Sequence, residues 1–297
     1  MTQALLDAVR RHTEANADPY GIARTPIPGM TTVRTTRTGE LEYGIQRPLI
    51  CLVVQGTKQV TMGSQTLSFR AGDSMLITAD VPTVSQITHA TRIAPYLSFV
   101  LYLDPTLITD LSIEMKTVPV DDRAPLRLEP TDAEVADTAL RMMRLLDRPA
   151  SVPVLQSQLV REMHYWLLAG RHGSAIRHLG FPDSHAQRIA RAVEIIRLEY
   201  ATVLPVERLA SVAGMSLSTF HQHFRAVTSL SPLQFQKRLR LIEARRMMLS
   251  DGAPSSNAAY AVGYESVSQF TREYRRLFGL PPVREIDEAR RRAQAVA

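Results

Sequence analysis

The sequence predicts an α+β protein of more than one domain: an N-terminal β-barrel or sandwich, a helical connector, and a C-terminal all-α domain with two helix-turn-helix units. Three observations predict it. Between residues 31 and 103, seven short β-prone runs alternate with Gly, Ser and Asp turn residues. From 131 onward apolar residues fall three and four apart, the spacing of buried helix faces. In the last third the chain says nearly the same thing twice: Ser216, Phe220, Phe224 and Pro232 recur as Ser266, Phe270, Tyr274 and Pro282, each 50 residues on, and Gly214 recurs as Gly263, 49 on. A chain of 297 residues is long for one core, and the expected divisions are 1–125, 126–182 and 183–297.

Taken in order, residues 2–16 read as an amphipathic helix with Leu5, Leu6 and Val9 on one side, closed by Asp18, Pro19 and the 26–29 turn. The β-prone runs are 31–38, 48–54, 58–62, 66–69, 74–78, 84–88 and 96–103, with turns at Gly39, Gly56, Gly63 with Ser64, and 71–73. Residues 49–54 are apolar at every position, which predicts a strand covered on both faces. Asp104 and Pro105 open a short helix, and Pro119, Pro125 and Pro130 interrupt the connection after it. Thr131 with Glu134 is a capping-box pattern for a helix to Asp147. The next helix follows Ser151 and lines up Leu155, Leu159, Met163 and Trp166, a stripe suited either to a homodimer seam or to docking on the barrel. Ser184 and Gln187 start a helix that buries Ile189, Val193 and Ile196.

Each repeat reads as helix, tight turn, helix. In the first, Pro205 opens a helix with Leu209, Ala210 and Ala213 inward, Gly214 turns the chain, and Ser216 caps a second helix built on Phe220 and Phe224. Leu217, Ser218, His221, Gln222 and Arg225 are left facing out. A helix over 232–249, with Phe235, Leu239 and Ile242 inward, leads to the second copy. There Gly263 turns the chain, Ser266 and Gln269 suggest a capping box, Phe270 and Tyr274 point in, and Val267, Ser268, Gln269 and Arg272 face out. A plain helical bundle would use similar helices, so charge is the discriminator. Residues 181–297 hold 17 Lys and Arg against 11 Asp and Glu, whereas residues 1–180 hold 18 of each. The whole excess of +6 therefore sits with the repeats, as phosphate binding requires.

These residues carry a resemblance. With Leu209, Ala210, the 213–216 run, Ser231 with Pro232, and the stretches 261–264 and 278–282, the segment from about 184 to 282 resembles the DNA-binding domain of the AraC/XylS family of transcriptional regulators. Two departures stand out: Ser229 lies where the family usually has Gly, and residues 255–260 are more polar than usual. Residues 48–56 with Lys58, then 71–73, Val81 with Pro82, and 94–97, are similar to the cupin-like effector domain of one branch of that family. The resemblance implies a sequence-specific regulator, expected to be an activator, that reads double-stranded DNA through two successive major-groove segments. The DNA-contacting set it implies is Leu217, Ser218, His221, Gln222, Arg225, Ser268, Gln269 and Arg272. It also implies a small-molecule effector held in the barrel, and RNA polymerase as a further partner.

The alternative is a cupin-type metal enzyme or sugar-binding protein joined to an unrelated basic helical domain. Metal-holding cupins need several histidines with a carboxylate, but residues 31–110 contain His89 alone, so no metal, no cofactor and no enzymatic activity is expected. Effector contacts are expected from Cys51, Val53 and Lys58. Cys51 reads either as a small buried hydrophobe or as a thiol sensor activated by Lys58 or Arg47. As the single cysteine it rules out an intrachain disulfide. The N-terminus, with Asp7, Arg10, Arg11, His12 and Glu14, lacks an uninterrupted apolar segment, and no stretch is long enough to span a bilayer. A cytoplasmic protein without membrane contact is expected.

Overall fold

The computed structural model describes residues 2–39, 41–63, 65–116, 126–180 and 184–294; Ser64, Pro119 and Pro125 lie outside them. The chain divides into two compact units, residues 1–187 with 226–229, and residues 188–225 with 230–297.

The first unit opens with helix α1 (Gln3–Asn16), which buries Leu5, Ala8 and Val9. Strands β1 (Ile22–Arg24), β2 (Met30–Thr35), β3 (Glu42–Gln46), β4 (Leu49–Gln55), β5 (Thr57–Met62), β6 (Gln65–Arg70), β7 (Asp73–Ile77), β8 (Val81–His89) and β9 (Tyr96–Tyr102) follow. After α2 (Pro105–Glu114) comes a tenth strand, β10 (Leu126–Pro130). They form two antiparallel sheets, β1-β2-β9-β4-β7-β10 and β3-β8-β5-β6, stacked as the expected cupin-like barrel. The short runs of the sequence become seven of these strands. Three strands have no counterpart in that reading: β1, β3, and β10, which pairs along β7 with Pro130 at its end. An edge strand tolerates that proline because one side of its ladder is unpaired.

Strand β4 explains the uniform apolar run. Pleating sends Ile50, Leu52 and Val54 into a core shared with the helices, and Leu49, Cys51 and Val53 into a second core between the sheets. From β4 the chain switches sheets through Gly56 at φ +83°. A Cβ there would lie 2.6 Å from His89 O and 2.9 Å from Tyr96 Cα, so the corner admits only glycine.

Helices α3 (Ala133–Leu146), α4 (Val152–Ala169) and α5 (Gly173–Gly180) complete this unit and cover the outer face of the larger sheet. The α4 stripe turns mostly inward: Met163 is fully buried, and Leu159 and Trp166 pack against the core, while Leu155 is 45% exposed. At α3 the expected Thr131/Glu134 box does not form. The N-cap is Asp132, whose carboxylate accepts instead from Arg171 N (3.1 Å) and Nε (2.9 Å).

The second unit comprises α6 (His185–Leu198), α7 (Val206–Val212), α8 (Leu217–Thr228), α9 (Pro232–Ser250), α10 (Ser255–Ala261), α11 (Val267–Phe278) and α12 (Pro282–Gln294). Its central helix, α9, starts at a complete capping box between Ser231 and Gln234. It serves two cores. Phe235 stacks edge-on against Phe224, 5.7 Å between centroids, whereas Leu241, Ala244 and Met248 pack with Phe270, Tyr274 and α10. Ile242, expected inward, is only half-buried, because Leu241 takes the place facing the second core. Helix α10 is polar in sequence yet holds through Ala258, Ala259 and the following Val262, all fully buried.

Candidate nucleic-acid interface and effector cavity

Both repeats fold as helix-turn-helix units. Gly214 and Gly263 turn at φ +59° and +87°. At Gly263 a Cβ would stand 1.9 Å from Ala201 O, so the second turn is closed to any side chain. Ser216 Oγ accepts from Thr219 N and Ser266 Oγ from Gln269 N, each at 3.3 Å, which fixes the starts of α8 and α11. The box at Ser266 is half-formed, since the Gln269 side chain donates to Glu273 Oε1 (3.1 Å) rather than reaching back. The repeat extends further than its motif: Ser229 and Gly279, 50 apart, both adopt left-handed backbone, at φ +63° and +85°. The family's usual glycine is missing at 229, but its conformation is kept.

Every residue of the expected DNA-contacting set is exposed. Leu217, Ser218, His221, Gln222 and Arg225 lie along α8, and Ser268, Gln269 and Arg272 along α11; Val267 is half-buried. Among the described residues, Arg225 and Arg272 form no ion pair, so their guanidiniums are available to phosphates and base edges. The sequence reading missed Glu273. Its carboxylate accepts from Lys237 Nζ on α9 (2.8 Å), Tyr264 Oη in the turn (2.8 Å) and Gln269 Nε2. Burial raises the Glu273 pKa, but these three donors outweigh it, and the net shift is downward. Lys237 lies 36 residues away, so no local pattern announces this hub.

The barrel encloses a cavity of about 490 Å³. Its two walls differ in chemistry. The larger sheet presents Leu49, Cys51, Met75, Ile77 and Val100, and the smaller sheet presents Glu42, Gln46, Lys58, Thr83 and Ser85. Cys51 and Lys58 thus line it, as expected. Val53 does not: it points into the same interior but is packed in the core between the sheets, two residues before the β4 irregularity at Gln55. The Cys51 thiol is 2% exposed and 4.0 Å from Tyr96 Oη. Burial pushes its pKa up; Lys58, Ser98 and Tyr96 oppose this without reversing it. The geometry therefore favours Cys51 as a small wall residue over an activated thiol. Arg47, the other cation considered for it, is exposed and does not line the cavity. Among the described residues no group of His, Cys, Asp and Glu could hold a metal, and no helix is long and apolar enough to cross a membrane.

Residues 26–175 match the family model described as AraC-type transcriptional regulator N-terminus, and residues 209–285 match one described as helix-turn-helix domain. The chain is similar to the virulence regulon transcriptional activator VirF of Yersinia enterocolitica, 29% identical over 142 residues, which are 46% of this chain and 51% of VirF. It is also similar to the RCS-specific HTH-type transcriptional activator RclR of Escherichia coli K12, 42% identical over 77 residues, 26% of this chain and 27% of RclR. The chain thus spans about half of VirF and less of RclR. Among solved structures, apo ToxT from Vibrio cholerae aligns over 89% of this chain and 98% of its own, with a TM-score of 0.60 at 9% identity. Wild-type ToxT with bound unsaturated fatty acid gives 0.57 over 87% and 93%, also at 9%. At such identity the likeness is one of fold. The relatives matched are transcriptional regulators, not enzymes.

Proposed function

The chain belongs to the AraC family of transcriptional regulators, and from that premise we propose that it activates transcription by sequence-specific binding to double-stranded DNA under control of a small molecule held in the barrel cavity. One observation carries the DNA reading: two units of the same build, each presenting an exposed, N-capped helix, flank the single unbroken helix α9. Such a pair is suited to successive major-groove segments, about 34 Å apart on one side of the duplex. Leu217, Ser218, His221 and Gln222 face bases in the first segment, and Arg225 holds phosphate. Ser268, Gln269 and Arg272 face bases in the second. Activation is supported by the description of VirF and RclR as activators, and an internal effector by the fatty acid described in ToxT. In this reading 1–125 senses the effector, 126–182 supports a homodimer, and 183–297 reads DNA. RNA polymerase is the further partner, and the site of action is the cytoplasm.

Selection of binding sites from random DNA tests the reading. Arg272→Ala should relax preference at one or two base pairs, since a bidentate Arg–guanine contact gives roughly 1–3 kcal/mol of discrimination. Arg225→Ala should weaken all sequences alike and reduce the salt slope by about 1. If Arg272→Ala returns the wild-type motif at full length and information content, α11 does not read bases.

A further inference from the structure

The barrel cavity identifies the class of molecule it takes. Its floor is dry: Leu49, Cys51, Met75, Ile77 and Ser98 are each 5% exposed or less. Its mouth is wet, rimmed by Tyr20 (70% exposed) and Tyr102 (43%), with Arg24 and Glu42 exposed beside them. Lys58 stands between these zones. It is half-buried on β5, on the same face as Val60, and among the described residues it forms no ion pair. Glu42 is the one carboxylate among the lining residues, and its Oε2 accepts the Ser85 hydroxyl at 3.3 Å instead of meeting the ammonium. A charge in such a place costs free energy unless an opposite charge joins it, and nothing in the barrel does so. The wall facing Lys58 across the interior is aliphatic.

We infer that the cavity binds a small organic carboxylate, whose anionic group pairs with Lys58 and whose apolar body lies against Leu49, Met75, Ile77 and Val100. This rests on the cavity being the effector site. The ligand supplies the counter-charge that the fold omits, and the unpaired ammonium is a selectivity device: a neutral analogue of the same shape fills the apolar wall but leaves the cation unsatisfied.

Calorimetry on the full-length protein, without DNA, tests it with octanoate, benzoate and phenylacetate, each against its own amide. At least one acid should bind wild type about tenfold or more tighter than its amide. Lys58→Met should abolish that difference, and Lys58→Arg should restore most of it. Lys58→Met should also raise the melting temperature of the ligand-free protein, a readout that separates a binding residue from one needed for folding. Equal binding of every acid and amide, no binding by any acid, or an acid preference that survives Lys58→Met would each overturn the inference. Because this binding is read without DNA, its failure leaves the DNA-reading proposal standing. A protein that binds octanoate through Lys58 but shows no sequence-dependent binding to DNA would instead sink the regulator reading.

Discussion

Buried side chains with one partner too few set the pH response of the first unit. Ser74 donates its hydroxyl proton to Glu129 O (3.1 Å), so the 2.7 Å contact with His172 must use a proton on the histidine Nε2. Nδ1 is then a bare lone pair, buried without a partner. Burial lowers the His172 pKa to about 4, with Asp132 pulling it up and Arg127 pushing it down. The folded protein therefore holds the neutral ring where the unfolded chain would be protonated. Stability from this group is present above pH ~6.5 and is lost as pH falls toward 4, by up to about 3 kcal/mol. Urea midpoints at pH 7 and 4.5 should fall less for His172→Gln than for wild type; parallel losses would contradict this. The backbone offers a second test. Ser229 holds a left-handed conformation that costs an L-residue roughly 1–2 kcal/mol. Ser229→Gly should raise the melting temperature, with a net gain of about 1 kcal/mol or less because glycine also loosens the unfolded chain.

Helix α11 is held by chemistry rather than by its sequence alone. Removing the Glu273 carboxylate strands the Lys237 ammonium, the Tyr264 hydroxyl and one Gln269 N–H together. Glu273→Ala should cost about 1–3 kcal/mol in denaturation, and in site selection it should blur the bases assigned to Gln269. Gly263→Ala should cost more, about 3 kcal/mol or above, since it combines a left-handed residue with a Cβ buried in Ala201 O. What the sequence made legible follows from the same contrast. The two turns, the caps at Ser216 and Ser266 and the aromatic pairs are local patterns that repeat at a fixed interval, so they could be read directly. So could β4, because a strand buried on both faces is apolar throughout. Strands β1 and β3 could not: one has three residues, and the other carries Glu42, Gly44 and Gln46. Those polar residues look like a loop until the barrel closes and Glu42 and Gln46 become cavity wall. Val53 was misplaced for a related reason, as strand alternation identifies a face but not how far along it a cavity reaches.

For the molecule as a whole, the homodimer proposal now has a sharper test. Leu159 and Trp166 are partly committed to the core, so substituting them would damage the fold along with any seam. The outward residues of α4 are Val154, Leu155 and Tyr165, at 65%, 45% and 39% exposure. Leu155→Glu with Tyr165→Ser should give a folded monomer by sedimentation, against a wild-type dimer; a monomeric wild type at high concentration would end the idea. The second unit carries a different kind of unity. From α9, Arg240 donates to Tyr200 O (2.6 Å), Thr202 O (2.8 Å) and Gly263 O (2.9 Å), and Gln236 donates to Tyr200 O and Thr202 O. One guanidinium thus clasps the entrance to the first repeat and the turn of the second. The duplication is therefore one of message and not of folding: neither copy owns a complete set of partners for its backbone. Hydrogen exchange should find the innermost amides of α8 and α11 opening together, as a single cooperative unit, and neither reading head can melt and leave the other on the DNA.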